Sequence, residues 1–472
     1  MNKYKKLFSD VGLFTISNFG SKIIIFLMVP LYTNILSTYE YGIIDLVLAT
    51  INLLFPILTL AISEGVLRFA FDKSYNQVQV LITAVYIGLL SFLVVFIAKP
   101  IILWFLTDLT EYWGYFLLIY IGMTGNNILS NYVRGVDKTK VFAIKGILYT
   151  FTFIVLNIIF LVFLKLGIEG YLLSLFLADI CVITYMVVAI KLHVQCTNFK
   201  INKLLYKNIL KYSVPLIPSI IAWWVMQISD KYMIIFFLGV SASGIYGIAY
   251  KIPTILSTLT SIFMQAWQIS AIKTVDDKDN DTFVSQVYRY FNVFSIGACA
   301  ILIILSKLLG KILYANEYFA AWTYVPILLM AYLFSGLSGL LASVFSAKKE
   351  TKVLFHSTVL GAFVNIVLNY VLIPKFGAIA AAYTTFLGFI VTWGVRIISV
   401  KKIIKLETNG VKDILAFSIL FIEAVAVSLD MPIKYFVATV AILLMIYIYR
   451  HELLFLGKRI KVIISRKGEN QK

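Results

Sequence analysis

Charge is scarce in this sequence. Only 14% of its 472 residues are Asp, Glu, Lys or Arg, well below the quarter a soluble domain carries. That shortage excludes a soluble enzyme, a disordered chain, and a nucleic-acid-binding domain whose basicity sits on a polar surface. Cysteine is nearly absent. Cys181, Cys196 and Cys299 are too few and too scattered for a disulfide framework or a zinc site, so they read as small apolar fillers and no metal is expected. The chain also lacks a Walker Gly-x-x-x-x-Gly-Lys-Ser/Thr loop, an HExxH pair and a nucleophile elbow. ATP hydrolysis on this chain is therefore not expected, and no cofactor is implied.

Apolar residues fill the gap. They make up 61% of the chain, and the mean hydropathy is +0.92. Fourteen apolar runs are long enough to cross a bilayer, at approximately 8–35, 42–66, 78–98, 112–133, 141–164, 169–190, 212–239, 245–271, 287–306, 322–346, 353–373, 378–399, 412–430 and 433–449. Stretches such as VLNIIFLVFL do not alternate in polarity and far exceed barrel strands, so the spans read as helices. The expected fold is an all-α polytopic membrane protein of about fourteen transmembrane helices. At about 20 residues each the spans take roughly 300 residues, leaving no polar stretch large enough for a soluble domain. The first run contains Lys22 and Pro30 and is too long for a cleavable signal, so it is expected to stay as an anchor.

The basic residues set the orientation. With a cytoplasmic N-terminus, six of them fall in outer loops (Lys99, Lys165, Lys307, Lys311, Lys375, Lys434) and Lys22, Lys231 and Lys251 lie inside spans. All the others of the 41 lie on the cytoplasmic side, together with the C-terminus. The net charge of +18 thus reads as topology and as contact with anionic membrane lipids, with no nucleic-acid partner needed.

The chain repeats itself. Thr139-Lys140-Val141 and Val155-Leu156-Asn157 recur as Thr351-Lys352-Val353 and Val367-Leu368-Asn369. Each is followed by a Lys-x-Gly turn, Lys165 to Gly167 and Lys375 to Gly377, and Tyr41-Gly42-Ile43 recurs as Tyr246-Gly247-Ile248. The offsets are 212, 210 and 205, so each copy holds six spans and both face the same way. This predicts two parallel six-helix repeats plus two C-terminal helices. The expected lobes are 1–200 and 201–405, with spans 13 and 14 and a basic cytoplasmic tail in 406–472. Parallel repeats of this kind occur in alternating-access transporters, with the substrate site near the midplane.

At these residues the chain resembles a known group. The first helix ending in Pro30-Leu-Tyr-Thr-Asn-Ile-Leu36, followed by Tyr39-Glu-Tyr-Gly42, resembles the polysaccharide flippases of the multidrug/oligosaccharidyl-lipid/polysaccharide exporter superfamily. Asp230-Lys-Tyr-Met-Ile234, Leu238-Gly239 and Gly244-Ile-Tyr246 are similar to the same group's seventh-to-eighth helix region. The resemblance spans essentially the whole chain and implies an O-antigen flippase-like protein that moves undecaprenyl-diphosphate-linked oligosaccharide between leaflets of a bacterial or archaeal cytoplasmic membrane. It also implies partners in the same pathway, a polysaccharide polymerase and glycosyltransferases. Fourteen spans match the related peptidoglycan-lipid flippases, whereas drug/cation antiporters usually have twelve.

A diphosphate and a string of sugars must then cross about 30 Å of hydrocarbon, which calls for Lys or Arg and for aromatic, hydroxyl and amide groups. Lys22 lies on one helical face with Thr15 and Asn18, about 20 Å below the outer end of its span. It reads either as the diphosphate ligand or as a partner for Asp45. At an offset of 205 its counterpart is Gln227, so the two lobes present unequal charge. Asp230 and Lys251 read as an interhelical pair or as substrate contacts, while Asp230 and its neighbour Lys231 cannot face the same way. Arg68, near Glu64 at the cytoplasmic end of span 2, could receive the diphosphate or serve topology alone. Asp45, Asp179 and Glu423 read as ion-coupling acids or as packing. Trp223, Trp224, Gln227, Tyr246, Tyr250 and Gln265 form a candidate sugar wall, for which helix packing or an interfacial anchor is the plainer reading. Asp277-Lys278-Asp279, in the acidic loop Asp276 to Asp281, mimics a glycosyltransferase metal pair but reads as a solvated turn.

Three functions compete. The favoured one is a lipid-linked oligosaccharide flippase working by alternating access, driven by an ion gradient, the membrane potential or the substrate gradient. A cation-coupled drug or metabolite antiporter would need acids rather than lysines lining both lobes. A membrane polymerase or glycosyltransferase would need charged residues on a substantial outer loop, and the loops near 99–111 and 307–321 are bare.

Overall fold

The computed structural model describes residues 26–192, 202–274, 280–348 and 350–454. Thr15, Asn18 and Lys22 lie outside the described residues, as do Asp276 to Asp279 and the side chain of Gln265. Among the described residues the only regular structure is helix. Nine helical stretches among them are long and apolar enough to cross a membrane, and Val240–Ala249 and Lys434–Ile448 are apolar but shorter.

Every predicted run from the second onward coincides with one helix or a broken pair, and the breaks have local causes. Span 2 is α2 (Thr38–Leu58) and α3 (Ile62–Phe71), preceded by a short α1 (Val29–Ile35). Ser37 caps α2: its hydroxyl accepts from the Glu40 N–H while the Glu40 carboxylate accepts from the Ser37 N–H. Pro56 removes a donor near the C-terminus of α2, and Leu60 and Ala61 then adopt φ of 54° and 50°. Span 7 is α9 (Lys203–Ser213) and α10 (Ile217–Leu238), separated where Pro215 and Pro218 interrupt the ladder. Span 8 is α11 (Val240–Ala249) and α12 (from Pro253 to Thr274), the proline opening the second piece. The outer segment 99–111, expected as bare loop, contains a short helix, Lys99–Phe105.

The chain forms two compact units, 1–247 with 315–318, and 248–314 with 319–472. In the first, α3, α9, α4 (Gln77–Ile97), α6 (Trp113–Gly135) and α8 (Gly167–Ala189) bury Val66, Val80, Ile128, Val133, Met186 and Ile209 together (α5 is Lys99–Phe105 and α7 is Thr139–Asn157). In the second, α14 (Val325–Ala347) is the most deeply buried helix. It packs against α12, α13 (Asn280–Leu313), α15 (Thr351–Phe376), α16 (Ala378–Val400) and α17 (Gly410–Ser428). The last helix, α18 (Lys434–Ile448), lies against α17 and α13.

The outward faces carry Phe96, Trp104, Phe151, Phe236, Phe363 and Phe436, each more than half exposed. Water would disfavour such a surface and hydrocarbon suits it. Hydroxyls inside the spans return their proton to the preceding turn, as Thr50 does to the Leu46 carbonyl and Thr83 to that of Gln79.

The repeat is visible in each unit separately. Gly167 and Gly377, the equivalent glycines of the two Lys-x-Gly turns, both take positive φ, 56° and 73°, where a Cβ is disfavoured. Asn157 and Asn369, the equivalent asparagines, are both fully buried. Asn157 donates to the Phe153 carbonyl, whereas Asn369 donates to Asn365 and accepts from Thr384 across the α15–α16 hairpin.

Candidate functional site

Polar side chains gather at three depths of the first unit. In the half of the membrane that the charge count places outermost, α2 and α10 are joined by an ion pair, Lys231 Nζ to Asp45 Oδ2 at 2.5 Å, with each side chain 16% exposed. Asp230 turns the other way, as adjacent helical residues must. Its Oδ1 accepts from the Lys231 N–H at 3.0 Å and its Oδ2 from the Tyr246 hydroxyl at 2.8 Å. Below the ion pair, Thr50 and Tyr232 share a 2.7 Å hydrogen bond. Trp224 Nε1 donates to the Ala49 carbonyl at 3.2 Å. Gly247 lets α11 come this close, because a Cβ there would fall onto the Asp45 carboxylate. Three candidates, Asp45, Asp230 and Lys231, thus share one cluster, with Gln227 half-buried one turn away on α10.

At mid-depth lies a second cluster on α6, α7 and α8. Asp179, 1% exposed, accepts from Asn126 Nδ2 at 2.6 Å, and Asn126 Oδ1 accepts from the Ser130 hydroxyl at 3.0 Å. The second carboxylate oxygen of Asp179 is buried and has no partner among the described residues. Lys145, on α7, is near enough for its ammonium to act on that carboxylate. Sequence reasoning missed Lys145 and Asn126: the first sits near a helix end that the charge count makes cytoplasmic, and the second is uncharged.

At the C-terminal end of α3 an open cleft of about 580 Å³ is lined by Glu64, Arg68, Asp72, Lys73 and Tyr212. The Arg68 guanidinium lies 6.0 Å from the centre of the Tyr212 ring. Hydrogen bonds from Ser74 hold the Asp72 carboxyl below its ordinary range, with a smaller contribution from Arg68. The cleft is charge-balanced, with Arg68 and Lys73 set beside Glu64 and Asp72.

The second unit holds the remaining candidates apart. Lys251, half-buried, lies between α11 and α12, where its carbonyl accepts from Thr254. Tyr250 packs edge-on against Tyr332. Glu423 is fully buried on α17, with neither carboxyl oxygen partnered among the described residues. Of the wall candidates in the first unit, Trp223 is 46% exposed and Tyr246 has no exposed surface. The two therefore do not line one wall. Among the described residues no group of three or more metal-ligating side chains occurs.

These features define a multi-pass membrane protein in which Asp45 and Lys231 are paired, while Glu423 has no hydrogen-bond partner among the described residues. The chain belongs to the polysaccharide biosynthesis protein family, whose model matches residues 7–268, more than half its length. Its fold is similar to that of an inward-facing multidrug resistance MATE family transporter of the MOP superfamily (TM-score 0.69, 14% identity, 81% of this chain and 94% of that one). It is similar also to the lipid II flippase MurJ in an inward closed conformation (TM-score 0.65, 16% identity, 93% and 99%). An outward-facing MATE transporter gives a TM-score of 0.60 at 12% identity, over 85% and 96%. No curated protein matches the chain.

Proposed function

We propose that the protein is a flippase, not an enzyme. It moves an undecaprenyl-diphosphate-linked oligosaccharide from the inner to the outer leaflet of a bacterial or archaeal cytoplasmic membrane by alternating access. The observation that carries this reading is coverage. The two multidrug transporter folds account for 81% and 85% of this chain, and the lipid II flippase fold for 93%. That surplus is of the order of the length of α17 and α18, which follow the second repeat and have no place in a twelve-helix antiporter. Family membership in polysaccharide biosynthesis supports the same reading.

In this proposal Lys22 is the principal diphosphate ligand, assisted by Asn18, Gln227 and Lys251, and Arg68 receives the headgroup at the cytoplasmic side. The Asp45–Lys231 pair ties spans 2 and 7 together in their outer halves, while Asp179 is the acid available for ion coupling. The polyprenyl chain stays in lipid throughout, since its burial in hydrocarbon costs nothing.

The test is reconstitution into liposomes with a fluorescent undecaprenyl-diphosphate sugar, scoring the fraction open to a membrane-impermeant quencher. Protein-dependent exchange between leaflets is the expected result. No exchange, with export of a cationic dye from the same vesicles, would instead establish the antiporter.

A further inference from the structure

The connection between α13 and α14 changes allegiance in mid-course. Its residues 315–318 fold with the first unit, whereas Tyr314 before them and Phe319 after them fold with the second. Both flanks are fastened in that second unit. Trp322 packs onto α13 at Gly310, where a Cβ would fall 2.7 Å from the Trp322 Cβ. Lys307 Nζ lies 4.8 Å from the centre of the Trp322 ring, and the Thr323 carbonyl accepts from the Ser428 hydroxyl at 2.6 Å.

The four residues in between are seated on the corner where α1 gives way to α2, at the end that the charge count places outermost. Leu36 and Ser37 turn extended there, with ψ of 140° and 161°, which takes their carbonyls out of the α1 ladder. Tyr318 supplies a donor. Its hydroxyl donates to the Ser37 carbonyl at 2.7 Å and, at 3.2 Å, to that of Leu36. Its ring meets Tyr41 edge-on with centroids 6.1 Å apart, and the side chain is 2% exposed. The Ala315 N–H donates to Thr33 Oγ1 and the Thr38 hydroxyl to the Glu317 carboxylate, both at 3.2 Å. Asn316 makes the turn with φ of 52°, a value that Asn adopts more readily than most residues.

This seat is built to open. Its hydrogen bonds are few, and Ser37, Asn316 and Glu317 around it are exposed, so water can take over each bond as it breaks. Alternating access rocks one repeat against the other. A segment seated in the first unit and chained on both sides to the second has to give way when that happens.

We propose that residues 315–318 are a latch, which leaves its seat on the α1–α2 corner in every transport cycle. The proposal goes beyond the flippase reading and rests on it for the cycle.

The test locks and loosens the seat in the full-length protein. The 3.2 Å contact puts the α-carbons of Thr33 and Ala315 within about 7 Å, inside disulfide reach. Thr33→Cys/Ala315→Cys is oxidised in liposomes holding a fluorescent undecaprenyl-diphosphate sugar, with the bond read by peptide mass and wild type treated alike. Oxidation is expected to abolish lipid exchange in the double variant, and reductant to restore it, with wild type unaffected. In parallel, deuterium uptake compares wild type with Tyr318→Phe, which removes the hydroxyl and keeps the ring. Uptake at 315–318 should rise roughly three- to tenfold, the effect of one lost hydrogen bond, with α13 and α14 unchanged.

Undiminished lipid exchange with the bond formed overturns the latch and leaves the flippase reading intact. A bond that does not form contradicts the seat itself. Uptake in Tyr318→Phe that stays at the wild-type level, or rises equally along α13 and α14, makes the segment a fixed part of the fold and also overturns the latch. Should the reduced double variant be inactive, the deuterium result decides. A wild type that moves no lipid-linked sugar overturns both readings.

Discussion

Lys231 of α10 donates to Asp45 of α2 across 2.5 Å, 186 residues apart in sequence and inside the hydrocarbon-facing bundle. The two charges are largely withdrawn from water, so each is tolerable only with the other. Asp45→Asn or Lys231→Met alone leaves one charge unmatched, at a cost of about 3–5 kcal/mol. The double variant Asp45→Asn/Lys231→Met removes both charges and should recover most of that loss. Thermal unfolding of the four proteins in one detergent forms the cycle. Single effects that simply add would show that the pair contributes no coupling.

The two Lys-x-Gly turns make a paired prediction. Gly167→Ala and Gly377→Ala place a Cβ on backbone at φ of 56° and 73°, and each should lower stability by about 1–2 kcal/mol. Gly114→Ala serves as the control, because no atom lies within 4 Å of a Cβ there. Equal melting temperatures for all three variants would contradict the repeat-equivalent turn geometry.

In the loop between α17 and α18, Asp430 accepts from both Lys307 and Lys434, whose ammonium groups hold its carboxyl below the ordinary range. A lowered carboxyl contributes stability above its unfolded pKa and loses it as pH falls through the lowered value. Wild type should therefore exceed Asp430→Asn in melting temperature at pH 7, and the difference should shrink below about pH 4. The gain is under about 1 kcal/mol, because the carboxylate is 43% exposed. A difference that grows on acidification would reverse the assignment.

Asp179 gives a functional counterpart. Asp179→Asn keeps an acceptor for Asn126 but removes the titratable group, so translocation should proceed while losing its response to an imposed pH gradient. An unchanged response, measured in the vesicles that score lipid exchange, would assign Asp179 to packing.

Much of this architecture is legible in the residue order. Long apolar runs leave helix as the form that satisfies the backbone in lipid, and from the second run onward the runs and helices coincide. Gly167 and Gly377 were marked by their repeated turn, and both take the conformation that glycine permits most readily. Partners were harder to read. That Asp45 would meet Lys231 depends on how two helices far apart in sequence register, which hydrophobic periodicity does not encode. Asp179 is held by Asn126, a neutral amide that stands out in no charge pattern. Arg396 sits so close to a cytoplasmic helix end that it counts as topology until its burial is known. The break at Leu60 and Ala61 carried no glycine signal, since both are L-residues in the left-handed region.

The most direct measurement uses inverted membrane vesicles supplied with a polyprenyl-diphosphate oligosaccharide, scoring the fraction of sugar protected inside. Wild type is compared with Lys22→Ala and Lys22→Arg. Translocation by wild type, loss in Lys22→Ala and partial survival in Lys22→Arg is the result expected of a cationic diphosphate site in the first span. Normal translocation by Lys22→Ala would contradict that site, and a wild type that moves no lipid-linked sugar would contradict the flippase itself.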